Sequence, residues 1–262
     1  RLARFPMRSL NSRRSPCRRG SFNPLWALLA TAVVAATLLV GVLFLMSEPA
    51  DSDSHPLRLY CAAGMRVPVE KIVAQYRSEF GVPVEIQYGG SNTLLNQLGV
   101  NRSSDADLFL AADDFYTTKA VDLGLADGIL PIAYSVPVLA VPHGNPRGIQ
   151  SLSDLLQSDL RIAMADPDQA AVGKAVRDRL QQVSSGDGAW WDQLQPRITQ
   201  HGVFKPTVND VANDLKLGTV DAAFVWDSTL AMPEYRDELT GIRLSELAAD
   251  PEQLSLAVLK SS

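Results

Sequence analysis

Histidine and cysteine are scarce in this chain: its 262 residues include three His and two Cys. His55, His143 and His201 share no ligand spacing, so they do not make a histidine metal cluster. Cys17 lies before a long apolar run and Cys61 after it, which leaves Cys61 without a partner for an internal disulfide. A lone Cys at a strand end reads as a small buried hydrophobe, with a reactive thiol as the alternative. Basic residues are also lacking in the main body. Seven of the 24 Lys and Arg and one of the 29 Asp and Glu precede residue 51, which leaves 17 basic residues against 28 acidic, a net charge of −11. Nucleic-acid affinity is driven by cations that neutralise phosphates, so a body this acidic is a poor nucleic-acid binder.

Residues 1–20 carry seven Arg and no acid, and residues 25–46 read LWALLATAVVAATLLVGVLFLM. That stretch is long and apolar enough to cross a bilayer as a helix. Arginines on its N-terminal side alone place that end in the cytoplasm. The expectation is a basic cytoplasmic tail over 1–24, an uncleaved transmembrane anchor over 25–46 and a polar linker over 47–56. A cleaved signal peptide is the competing reading, although its apolar region is usually about 7–15 residues and ends in a small-x-small site. The run ends LMSEPADSDS, with no Cys there for lipid attachment. Both readings place the remainder outside the cytoplasm.

From residue 57 onward, strand-like and helix-like patterns alternate. LRLYCAA (57–63), PVEIQYGG, DADLFLAAD, SVPVLAVP, LRIAMADP and DAAFVW read as strands. Between them, Val69, Ile72, Val73, Tyr76 and Phe80 share one helical face that ends at Gly81, and SNTLLNQLGV starts a helix with Ser91 as N-cap. Trp190 and Trp191 fit a helix packed on a second lobe. This order indicates parallel α/β units, and about 205 residues is large for one lobe. The expected lobes are 57–135 and 136–231, with 232–262 returning to the first, and IAYSVPVLAVPHGNP (132–146) as the crossing. The chain begins at Arg1, with Met7 its first methionine, and stops at LSLAVLKSS. Both ends read as fragment boundaries, and the C-terminus as incomplete.

Three loops join a strand to a helix start through small or polar residues: Ala63-Gly64-Met65, Gly89-Gly90-Ser91-Asn92 and DPDQAAVG from Asp166 to Gly173. Thr207-Val208-Asn209-Asp210-Val211 opens another helix. Helix N-termini leave backbone N–H groups unpaired and partly positive, so several aimed at one point can hold a small oxyanion without Lys or Arg. The order AAGMRVPVEKIVAQY…YGGSNTLLNQL, DADLFLAAD, ADPDQAAVGKAVRDRL and VNDVANDLKLGTVDAAFVW resembles the molybdate/tungstate-binding proteins of ABC importers, from about residue 57 to 259. The resemblance implies an α/β, two-lobe periplasmic-binding-protein fold (type II). It also implies two further helices packing on the first lobe beyond the end of the chain.

Carried over position by position, the resemblance puts Gly64 where a first oxyanion-binding Ser stands and Ser91 at the second. It places Val172 and Val211 at backbone N–H donors and Trp226 at a family Tyr. Gly64 lacks a hydroxyl, and Trp226 offers an indole N–H instead of a phenol. The implied ligand is molybdate or tungstate, with no cofactor. The implied partner is an ABC importer permease, and the expected state is a monomer. Sulfate, phosphate or a metal cation held by Asp210 and Asp227 are the alternatives, and both aspartates also read as plain capping or solvent-facing residues. An enzyme would need a nucleophile with a positioned base. The exported part has one Cys, three scattered His and no Gly-x-Ser-x-Gly elbow. A transcription-factor lobe would need a basic DNA-binding helix pair where the apolar run stands.

Overall fold

The computed structural model of the protein describes residues 56–260 apart from 101–105, 158, 185, 187 and 248–249. The tail and apolar run expected over 1–46, and the linker up to residue 55, lie outside the described residues. No helix among the described residues is long and apolar enough to cross a membrane.

The alternation in the sequence becomes two five-stranded sheets. In the first, β1 (Leu57–Ala62), β2 (Val84–Gly89) and β3 (Leu108–Ala111) run parallel, connected through α1 (Arg66–Phe80) and α2 (Ser91–Val100). α3 (Asp114–Asp122) leads to β4 (Ala126–Ser135) at the sheet edge. One residue, Val136, separates β4 from β5 (Pro137–Pro142), which already belongs to the second sheet. There β6 (Ile162–Ala165) lies between β7 (Val203–Lys205) and β8 (Ala222–Trp226), parallel to both. α4 (Ala171–Gln182), α5 (Trp190–His201) and α6 (Val208–Lys216) connect these strands. All residues of β6 and β8 are buried, as expected of central strands covered on both faces.

The turn chemistry is local and legible. Gly81 ends α1 at φ 72°, a left-handed position that glycine takes without steric cost. Asp113 and Thr207 cap α3 and α6 by accepting from Phe115 N and Asp210 N. Ser91 differs from its expected role. Leu94 N bonds the Gly90 carbonyl, so the first turn of α2 starts at Gly90. The Ser91 hydroxyl instead accepts from Ala112 N at 3.3 Å, tying α2 to the end of β3.

The return to the first lobe also comes later than the sequence indicated. After α7 (Asp227–Leu230), β9 (Leu239–Ile242) pairs antiparallel with β5, and Leu247 packs in the second lobe's core. Only β10 (Glu252–Leu259) returns, inserted antiparallel between β3 and β4. LTGI is too short to carry a periodic signal, so β9 was invisible in the sequence.

The apolar face of α1 meets the sheet incompletely. Val69, Ile72, Val73 and Tyr76 border an open apolar groove with Ile132 and Leu256, and Ile72 remains 63% exposed.

Candidate functional site

The loops at the carboxyl ends of β1, β2, β3, β6, β7 and β8 line one cleft between the sheets, the position where open α/β sheets bind ligands. It encloses about 240 Å³, open mouth included. Its first-lobe wall is Ala62 to Gly64, Gly89 to Ser91 and Ala112, and its second-lobe wall is Ala170 to Val172, Thr207, Val208 and Trp226. The lining contains no charged side chain.

The donors are backbone groups. The 3-10 turn Ala63–Met65 and helix α4 both begin without a side-chain cap, which leaves their first N–H groups without an intrahelical partner. Small residues here let the walls approach. A Cβ on Gly64 would lie 2.9 Å from Val208 Cγ1 and 3.7 Å from Trp226 Cδ1, so the edge of the indole that carries its N–H faces the first loop.

Four of the five carried-over residues, Gly64, Ser91, Val172 and Trp226, meet at this cleft. Val211 does not. It is fully buried in α6, and its N–H bonds the Thr207 carbonyl at 3.3 Å, completing an intrahelical bond instead of facing the cleft. Val208, three residues earlier, takes the lining position. The four-residue spacing of the helix explains the slip, because the first turn exposes N–H groups and the second consumes them.

The two aspartates have structural partners. Asp210 Oδ2 accepts from Thr207 Oγ1 at 2.6 Å while Asp210 N donates to that same oxygen, a reciprocal cap of α6. Asp227 Oδ1 accepts from Ser135 Oγ, Val136 N and Ser228 N, at the chain crossing between the sheets. Neither lines the cleft. No group of three His, Cys, Asp or Glu among the described residues is placed to hold a metal ion. Cys61 is fully buried, and burial pushes its thiol up to about 12, which suppresses the thiolate.

The sequence reading missed a buried carboxylate beside the cleft. Asp113 follows the lining residue Ala112, is 3% exposed, and burial raises its carboxyl to about 6. Lys174, on α4 of the other lobe, lies 4.0 Å from it and 4.4 Å from the centre of the Phe115 ring. Its only sequence signal was an Asp-Asp pair at the end of a strand.

Two sheets joined by two crossings, with an uncharged cleft between them, make the framework of a two-lobe binding-protein fold. The chain belongs to the bacterial extracellular solute-binding protein family, whose model matches residues 57–262. That family is extracytoplasmic and of the ABC-transporter type. A Haemophilus influenzae protein whose binding role is itself inferred is 34% identical over 187 residues, 71% of this chain and 72% of its own. The molybdate-binding protein ModA of Escherichia coli is 25% identical over 162 residues, 59% of this chain and 60% of its own. Among solved structures, the sulfate-binding protein SubI of Mycobacterium tuberculosis shares the fold with a TM-score of 0.65 at 18% identity, covering 79% of this chain and 77% of that one.

Proposed function

We propose that the cleft captures a fully ionised tetrahedral oxyanion, molybdate or tungstate, and that the protein delivers it to the permease of an ABC importer. One observation carries this reading: uncapped backbone N–H groups from both lobes and the Trp226 indole surround a cleft that no carboxylate lines. Molybdate and tungstate carry no proton at neutral pH and only accept hydrogen bonds, so a lining with uncapped N–H donors and no carboxylate suits them. The similarity to a protein named for molybdate binding supports the choice. Hydrogen phosphate would need an acceptor for its proton, and Asp113, Asp210 and Asp227 all stand outside the lining with partners of their own. Sulfate is also unprotonated and is the comparator that matters. The apolar stretch at 25–46 would keep the protein, acting as a monomer, near its transporter.

Isothermal titration of the purified chain with molybdate, tungstate, sulfate and phosphate tests the reading. Saturable binding of molybdate and tungstate, at least tenfold tighter than sulfate, is the expected result. A folded protein that prefers sulfate, or ignores all four anions, would overturn it.

A further inference from the structure

The two lobes touch each other directly beside the cleft. Asn92 follows the lining residue Ser91 on the first lobe, and its Nδ2 donates to the Asp168 carbonyl of the second lobe at 2.7 Å. Its backbone N–H donates to the Gln169 carbonyl at 3.0 Å. Asn209 follows the lining residue Val208 on the second lobe, and its Nδ2 donates to the Ala63 carbonyl of the first lobe at 2.8 Å. Each lobe therefore contributes one carboxamide, at the start of a helix, that reaches a backbone carbonyl of the other lobe. The other end of the Asn209 amide, Oδ1, is buried without a partner. An orphaned acceptor is costly, so the amide is held in place by what its nitrogen does.

The surrounding backbone fits this contact. A Cβ on Gly90 would lie 2.3 Å from the Gln169 oxygen and 3.0 Å from the Pro206 oxygen, so only glycine lets the walls come this close. Lys174 adds a third link, from α4 to the Phe115 ring and Asp113. Neither Asn92 nor Asn209 is among the residues that line the cleft.

We infer that Asn92 and Asn209 are reciprocal latch residues that stabilise the closed cleft and set affinity through the fraction of closed molecules. They are positioning residues. Their side chains bond protein carbonyls, and they act on the anion by stabilising the state that surrounds it. A ligand that binds only the closed state has its apparent affinity scaled by that state's population. This inference rests on the oxyanion-binding reading for its affinity arm and stands apart from it in its conformational arm.

The test measures the distance between spin labels at Glu79 and Gln195, exposed positions on the two lobes, in the full chain with Cys17→Ser. The variants are Asn92→Ala, Asn209→Ala and the pair, each checked for an unchanged circular dichroism spectrum. Without anion, the parent should populate a short-distance state that each single variant depletes and the double variant nearly removes. With molybdate as the probe, each single variant should weaken binding about fivefold, the scale of one hydrogen bond, mainly through faster dissociation. Unchanged distance distributions in the variants would overturn the latch, whatever the anion result. Depleted closed populations in a protein that binds no molybdate would leave the latch standing and remove the ligand assignment instead. A variant that loses its fold is replaced by Asn92→Ser or Asn209→Ser, read in the same two ways.

Discussion

At the scale of single residues, the cleft is governed by what is absent from two glycines. Gly90 has no left-handed φ, so alanine there costs nothing in backbone conformation. The added carbon would still sit 2.3 Å from the Gln169 oxygen, and something must shift. Both oxygens it would meet, of Gln169 and Pro206, belong to the second lobe, so separating the lobes would relieve the clash. Gly90→Ala should therefore raise the molybdate dissociation constant at least tenfold, about 1.4 kcal/mol, while the melting temperature moves by little. Titration and a thermal scan of the same sample check both halves. Gly64 poses the opposite case. Gly64→Ser would supply the hydroxyl that the resemblance expects, but its Cβ meets Val208 Cγ1 at 2.9 Å. The single variant should bind several-fold more weakly. Combining it with Val208→Ala opens the space, and the double variant should recover at least the parent affinity. If Gly64→Ser alone binds tighter, the contact with Val208 is softer than the geometry indicates.

At the scale of elements, α3 carries a cap that is a liability at neutral pH. Asp113 accepts from Phe115 N, which favours its ionised form, yet burial dominates and raises its carboxyl to about 6. A carboxyl raised above its unfolded value stabilises the fold when protonated. That contribution is full below the unfolded pKa, near 4, and is lost as pH rises through about 6. Ionising it at neutral pH thus costs the folded state. Asp113→Asn keeps a good cap without the charge. It should raise stability by about 1–2 kcal/mol at pH 7.5, with the gain shrinking toward pH 4; denaturant unfolding at the two pH values checks this. A gain of equal size at both pH values would show that ionisation is not its source. Elements of this kind were partly legible beforehand. The loop order, Gly81 and the crossing near Val136 all rest on composition and spacing that a sequence displays. The role of Ser91, the burial of Asp113 and the existence of β9 depend on what packs against them. Val211 shows the same limit at finer grain: its helix was readable, but not which N–H of that helix remained free.

At the scale of the whole molecule, the two lobes are joined at two crossings, and each is pinned by a charged side chain. Asp227 fastens the first: its carboxylate takes Ser135 Oγ at 2.6 Å and Val136 N at 3.1 Å, and its own N–H bonds the Val136 carbonyl. Arg179, 8% exposed on α4, fastens the second by donating to the Leu247 and Asp250 carbonyls and to Glu252 at 2.8 Å. Neither residue showed its role in the sequence, because each partner set spans dozens of residues. The clamps differ in one respect that bears on function. Asp227 directly follows Trp226, which lines the cleft, whereas Arg179 lies a full two turns beyond the Val172 lining position. Asp227→Ala should cost about 2–3 kcal/mol, since hydrogen bonds to a charged group are the strong ones. It should also raise the molybdate dissociation constant about tenfold by freeing the indole. Arg179→Met strands the Glu252 carboxylate and should cost a similar 2–4 kcal/mol, yet leave the dissociation constant within about threefold. Unfolding and titration on both variants separate the two clamps. Equal losses of affinity would mean that the second crossing also sets how the lobes close, and that the cleft senses the hinge through both strands and not through Trp226 alone.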